Sequence, residues 1–194
     1  AHGVHHGLFF SFFSHRDMVW RGDFDRLLVR PLSPVWQIMA DGLNLSALGE
    51  FLPGFALLAI TAPKVSVAWT PLNILYLVVT VLSGAVIEWA VNLFFMTFDF
   101  WLERTTLLWL PDIFFGQASL YPIHIYGTVL SSILTFVFPY AFIAYYPTCY
   151  FFQLEGALFW QGFAYLTPWV AALTLGVALA FWSVGLKRYQ STGA

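Results

Sequence analysis

The chain has 194 residues, 60% of them hydrophobic and only 9% charged, with a formal net charge of −2. Soluble domains run nearer 45–50% apolar and about 25% charged, so this chain is too poor in charge to coat a water-soluble surface. The slight acidic balance gives no basic field for nucleic acid, and the single cysteine, Cys149, excludes an intrachain disulfide and a cysteine zinc cluster. No Asp, Glu, Lys or Arg occurs between Lys64 and Glu88, between Asp112 and Glu155, or between Glu155 and Lys187. A bilayer-crossing helix needs about 20 apolar residues, and each of these gaps can hold one. Runs such as Leu72–Ala85 do not alternate apolar with polar positions, which argues against the strands of an outer-membrane barrel. The composition therefore defines an all-α integral membrane protein, a polytopic helical bundle forming one transmembrane domain over residues 1–194.

In chain order, residues 1–13 read as the end of a span whose beginning precedes Ala1. No basic segment leads into that apolar run, so it is expected to belong to a processed or truncated chain rather than to a signal peptide. Residues 14–44 form a polar loop carrying Arg16, Arg21, Arg26 and Arg30. Four full spans follow. Residues 45–62 contain Glu50 and Pro53, and residues 72–98 are interrupted by Glu88. Between Asp99 and Leu120, aromatic residues mix with Glu103, Arg104 and Asp112, the pattern of an amphipathic helix lying on the membrane surface. The third span, residues 121–146, is expected to kink at Pro139. Residues 147–165 are rich in Tyr, Phe and Trp with one acid, Glu155, and read as a re-entrant or interfacial hairpin. Residues 166–186 form the last span.

Alternating loops then place Arg16, Arg21, Arg26, Arg30, Arg104, Lys187 and Arg188 on one side and only Lys64 on the other. By the positive-inside rule the 14–44 loop and the C-terminus are expected to be cytoplasmic, with the 147–165 hairpin outside.

The segment Arg21-Gly-Asp-Phe-Asp-Arg-Leu-Leu-Val-Arg-Pro-Leu-Ser-Pro34 stands out within that loop. It predicts a short charged helix with Phe24, Leu27 and Leu28 on its apolar side. Pro31 stops it, because the residue before a proline avoids the helical region. Such a projecting helix suits docking on a soluble partner, and it equally fits a solvated loop whose arginines only fix topology.

Residues Gly22–Pro34 resemble the signature loop of type-2 ABC transporter permeases, in a bacterial subfamily of six-helix subunits. The ending Phe181-Trp-Ser-Val-Gly-Leu-Lys-Arg-Tyr-Gln-Ser-Thr-Gly193 is similar to that subfamily's C-terminus, and Tyr121-Pro-Ile123, Phe136–Phe142 and Tyr145–Pro147 also resemble it. The resemblance implies a helical bundle of the type-2 ABC exporter kind in the bacterial cytoplasmic (inner) membrane. It implies export driven by ATP and Mg used on a separate ABC ATP-binding subunit, and pairing with a second permease, identical or related. It also implies that Arg21, Gly22, Asp23, Phe24, Asp25, Arg26, Arg30 and Pro31 couple the permease to that subunit. Family members carry a first span and most of a second before this point, so the present chain would supply spans three to six and the tail of the second.

The residues themselves agree that ATP chemistry belongs to a partner. No G-x-x-x-x-G-K-[ST] phosphate loop is present, and no Ser/His/Asp, nucleophile-elbow or H-E-x-x-H pattern suggests an intramembrane hydrolase.

Polar residues inside spans are expensive and carry the remaining candidates. Gly84, Glu88, Asn92, Asp99 and Glu103 fall on one arc of the second full span. Glu88 and Asn92 are expected either on a translocation path or at a helix contact. His2 and His6, four residues apart, share a helix face in a pattern that suits a metal or haem. No histidine at matched depth answers them except His124, so no metal or cofactor is assigned to this chain. A cofactor-binding redox subunit and a non-transporting scaffold are the alternatives to a permease.

Overall fold

The computed structural model describes residues 1–9, 18–19, 21–40, 45–65, 67–102, 109–121, 123–154 and 158–189, and among them there is no strand. The helices are α1 (His2–Phe9), α2 (Asp25–Leu28), α3 (Pro34–Ala40), α4 (Leu48–Thr61), α5 (Pro71–Met96), α6 (Leu110–Leu120), α7 (Thr128–Ser132), α8 (Tyr145–Phe152) and α9 (Thr167–Leu186). The sequence candidates His15, Arg16, Asn44, Glu103, Arg104 and Glu155 lie outside the described residues.

Among the described residues, three stretches are long and apolar enough to cross a membrane: Leu45–Lys64, Pro71–Phe100 and Thr167–Leu186. The second has 30 residues, about 45 Å at 1.5 Å per residue, well beyond a hydrocarbon core of about 30 Å. Its start is written locally. Thr70 is extended and its hydroxyl accepts the Asn73 N–H, while Pro71 enters at the first helical position, where no backbone donor is needed. Pro168 occupies the same kind of position at the start of α9.

The fourth crossing is broken. Thr128–Val137 and Pro139–Phe152 together pass as one apolar span, but they bend by 74°. Pro139 causes the break by forcing Phe138 out of the helical region, to φ −110 and ψ 94. Just before it the helix widens into a π-helical turn, Ile133–Val137, and the Phe138 N–H reaches back to the Ile133 carbonyl at 2.8 Å. The second arm continues through α8 to Phe152. There Gln153 takes the left-handed conformation, φ 49, and its N–H closes on the Cys149 and Tyr150 carbonyls. Residues 147–152, read from sequence as part of an outer hairpin, are thus helical.

α5 is the central helix, and its most extensive partner is α9. Two apolar clusters flank it. One joins Trp89, Ala90, Leu93, Met96 and Phe100 to Ala178 and Trp182 of α9, and to Phe24, Val35 and Ile38 of the arginine-bearing loop. The other joins Ile87 and Val91 to Leu134, Phe138, Phe142 and Tyr146 of the broken span and to Ala171. Small residues set the approach distances, as in other membrane helix pairs. A Cβ on Gly185 would lie 2.5 Å from Phe100 Cδ2 and 2.7 Å from Thr97 Cγ2. α5 also carries α1, and α1 in turn carries α4. No residue of α4 is buried.

Substituting Gly185 by Leu should force α9 away from the end of α5. The expected cost is about 1–3 kcal/mol, read as a lower thermal midpoint of the purified protein in nanodiscs. Gly176→Leu on the same helix, where a Cβ meets nothing within 4 Å, should leave the midpoint unchanged.

Candidate functional site

The Arg21–Pro34 segment begins with a turn that only glycine takes readily: Gly22 has φ 80. The reversal lets the Phe24 N–H reach the Met18 carbonyl at 3.2 Å and starts the single turn α2. One turn cannot hold itself, since helix nucleation costs more than one hydrogen bond returns. It is held from α3 instead. The buried Gln37 amide donates to the Leu27 carbonyl at 2.8 Å and the Leu32 carbonyl at 2.6 Å, closing the loop around Pro31.

Phe24 is fully buried, at 0% exposure. Its ring sits edge-on against Phe100 at 5.3 Å, Trp182 at 6.0 Å and Tyr189 at 4.9 Å. Phe100 in turn packs edge-on against Trp182 at 5.0 Å. These are the favoured geometries of aromatic pairs, each contributing about 0.5–1.5 kcal/mol beyond area burial. Beside the ring, the Tyr189 hydroxyl donates to Asp25 Oδ1 at 2.9 Å. Burial, then the bond to Asp25 and its charge, push the Tyr189 phenol up to about 12, so it stays a donor at every physiological pH. The turn is therefore clamped to the end of α5 and to the residues that follow α9.

The sequence-predicted residues divide accordingly. Phe24 and Asp25 face inward, while Arg21, Asp23, Arg26, Arg30 and Pro31 are exposed together with Leu28, Val29 and Leu32. Arg26 and Asp23 lie 3.8 Å apart with both side chains in water, a pair worth little by itself. Leu28 and Val29, at 44% and 84% exposure, add an apolar strip to the charged ridge. Gln37, Phe100, Trp182 and Tyr189 were not predicted as site residues. The ending that contains Trp182 and Tyr189 was visible only as a family-like segment, with no signal that it pairs with Asp25.

Glu88 and Asn92 lie elsewhere on α5, with Glu88 facing α1. Glu88 is 2% exposed and its Oε1 is 2.5 Å from His2 Nδ1. The Asn92 amide donates to the Glu88 carbonyl at 2.9 Å, a bond within the helix. His6 Nδ1 meets Glu50 Oε1 at 2.9 Å, and His2 Nε2 lies 3.8 Å from Glu50 Oε2. His2, His6 and Glu88 place one ligand atom each within 4.8 Å of one another, a group able to hold a metal ion. The second-helix partners at this depth, not evident from the sequence, are the carboxylates Glu88 and Glu50.

Cavities lie among these helices as well. One of about 500 Å³ lies between α5, the broken span and α9, lined by apolar residues including Phe94, Phe95, Phe138, Phe163, Leu173 and Val177. Another, about 740 Å³, lies at the far end near Asn73, Tyr150, Gln153 and Tyr165.

An all-helical bundle with several apolar crossings, an arginine-bearing turn clamped to two of them and a cavity among them defines a membrane transport subunit. Residues 4–193 match the ABC-2 family transporter protein model, and the chain belongs to that family, as a multi-pass permease of type-2 ABC transporters. No curated protein and no solved structure matches the chain. The family implies an ABC ATP-binding partner in general.

Phe24→Ala should empty the aromatic cage at a cost of about 3–5 kcal/mol. Hydrogen exchange is expected to accelerate at the amides of residues 24–28 while those of α5 stay protected. Val29→Ala, on the exposed strip, should change stability by no more than about 0.5 kcal/mol.

Proposed function

We propose that this chain is the permease subunit of an ATP-driven exporter in the bacterial cytoplasmic membrane, with its C-terminus in the cytoplasm. It works with a separate ATP-binding subunit that uses ATP and Mg, and with a second permease, identical or related. The chain binds no nucleotide itself. The Phe24 cage carries the reading. A loop that merely fixed topology would need no buried aromatic anchor, whereas a loop that transmits movement must be rigidly joined to the helices it moves.

In this reading the ridge of Asp23, Arg26, Leu28, Val29 and Arg30 docks on the ATP-binding subunit. Closure of that subunit around ATP favours one orientation of the ridge, and Phe24 passes the displacement to Phe100 at the end of α5 and to Trp182 of α9. Differential affinity of the partner for the two arrangements shifts the permease between inward- and outward-open states. The apolar cavity between α5, the broken span and α9 supplies a place for a lipid-like or amphipathic substrate. At the outer end, Tyr76 donates to the Ala164 carbonyl and Tyr150 donates to Asn73 Oδ1 at 2.8 Å. These bonds pin α8 and the segment after it to α5, and the 147–165 region acts as the outer gate. Glu88 and Asn92 we assign to helix contact rather than to the path, since Glu88 meets His2 and the Asn92 amide donates to the backbone of α5 itself.

The test uses the permease with its ATP-binding subunit in proteoliposomes. Arg26→Ala and Val29→Asp, both on exposed side chains, should leave insertion and thermal stability intact. Each should weaken association with the ATP-binding subunit by about 1–2 kcal/mol, roughly five- to thirtyfold, and reduce ATP-dependent export in parallel. Full ATP-dependent export by both variants would overturn the assignment of this ridge.

A further inference from the structure

We propose that His2, His6, Glu50 and Glu88 form a divalent transition-metal site, suited to Zn²⁺, that ties α1, α4 and α5 together. The four side chains come from three helices. His2 and His6 share one face of α1 because they are four residues apart, Glu50 comes from the first turns of α4, and Glu88 from the middle of α5.

The donor set is two imidazoles and two carboxylates, the nitrogen and oxygen ligands that zinc takes in four-coordinate sites. Ligand atoms of His2, His6 and Glu88 already lie within 4.8 Å of one another. Side-chain rotation closes that gap onto an ion with bonds of about 2.0–2.2 Å. Glu50 joins them through His6, its Oε1 lying 2.9 Å from His6 Nδ1, while its Oε2 is 3.8 Å from His2 Nε2, the ring nitrogen turned away from Glu88. The His2 ring is held between neighbours, stacked on Phe115 at 4.6 Å and beside His6 at 4.1 Å.

Electrostatics favours an ion over hydrogen bonds alone. Glu88 has a side chain only 3% exposed, and its Oε2 has no hydrogen-bond partner among the described residues. A carboxylate buried among apolar helices is costly unless it is paired or coordinates a metal. Two carboxylates with one divalent cation are neutral overall, so the ion removes the net charge from the helix interface. His5, fully buried with Nε2 4.0 Å from Glu88 Oε1, stands behind the acid as an outer group that helps fix its orientation. His2 and Glu50, with side chains 40% and 44% exposed, leave the ion a way in. The consequence is a staple: α4, which buries no residue of its own, is fastened to the bundle through Glu50.

The experiment uses the permease assembled with its ATP-binding subunit in nanodiscs, stripped with chelator and titrated with Co²⁺ as a spectroscopic probe. The expected result is one Co²⁺ per chain with the visible absorption of a four-coordinate nitrogen/oxygen site, displaced by Zn²⁺, and a higher thermal midpoint with the metal. Glu50→Gln and His6→Asn, both at the open rim, should each raise the Co²⁺ dissociation constant at least about tenfold. Cys149→Ser should leave it unchanged. Glu88→Gln should abolish the metal-dependent rise in the midpoint. Absence of stoichiometric Co²⁺ binding, or equal binding by a His2→Asn/His6→Asn variant, would overturn the proposal and leave the cluster as a hydrogen-bonded helix contact. Should the double variant not fold, unchanged Co²⁺ affinity in Glu50→Gln and His6→Asn overturns it equally.

Discussion

Phe24 is the residue through which an exposed turn and the membrane helices become one body. Its ring is enclosed by Phe100, Trp182 and Tyr189, three residues that reach it from the end of α5, the last turns of α9 and the chain beyond. Full burial of a phenylalanine contributes about 1.5–3 kcal/mol, more than a single turn of helix can supply for itself. The turn therefore has a fixed position because of what it is inserted into. The bond from Tyr189 to Asp25 and the two bonds from Gln37 fix its rotation as well. Charge is kept to the outer side, where Asp23, Arg26 and Arg30 remain in contact with water.

How much of this was legible in the sequence depended on the range of the signal. Spans were legible because length and apolarity are summed over about 20 residues and need no partner. The stretch read as 72–98 is the helix Pro71–Met96 with a 3₁₀ continuation to Phe100, and 166–186 is Thr167–Leu186. Pro139 announced a break by stereochemistry alone. Its angle of 74° was not legible, because that depends on how Phe138 and Phe142 pack against α5 and its neighbours, not on the proline. The apolar side of the short helix was read as Phe24, Leu27 and Leu28. Only Phe24 is fully buried and Leu28 is 44% exposed, since a helix of one turn has no periodicity from which to infer a face.

The polar cluster was illegible for a different reason. His2 and His6 announced a shared face, and Glu88 and Glu50 announced acids inside spans, but nothing in a linear sequence fixes the relative depth of three helices. Matched depth is set by close approach. A Cβ on Gly84 would lie 3.0 Å from the Ala1 Cβ, and a Cβ on Gly3 would lie 3.0 Å from the Phe51 backbone nitrogen. Those two glycines bring α1 against both neighbours, and the His–Glu pairs follow from that approach. The small residues thus position the charged ones.

α5 consequently carries two environments at different depths along one side, since Glu88 and Phe95 are seven residues, about two turns, apart. At the depth of α1 it presents Glu88, whose contact with His2 is short and polar, and Gly84, which closely approaches both Ala1 and Ile143 of the broken span. Toward the broken span and α9 it presents Val91, Phe94 and Phe95, lining an apolar cavity of about 500 Å³. Apolar contacts of the second kind lose little when helices slide, because lipid-like surroundings replace them at small cost. A buried carboxylate loses its partner and stays buried, which is far more expensive. Movement of α5 should therefore be easier against the broken span and α9 than against α1. The Phe24 cage holds the same helix at its end, next to the cavity level, so a displacement entering there reaches the cavity first while α1 and α4 travel with α5. The division of polar and apolar levels along one helix sets which part of the bundle can open and which part moves as a block.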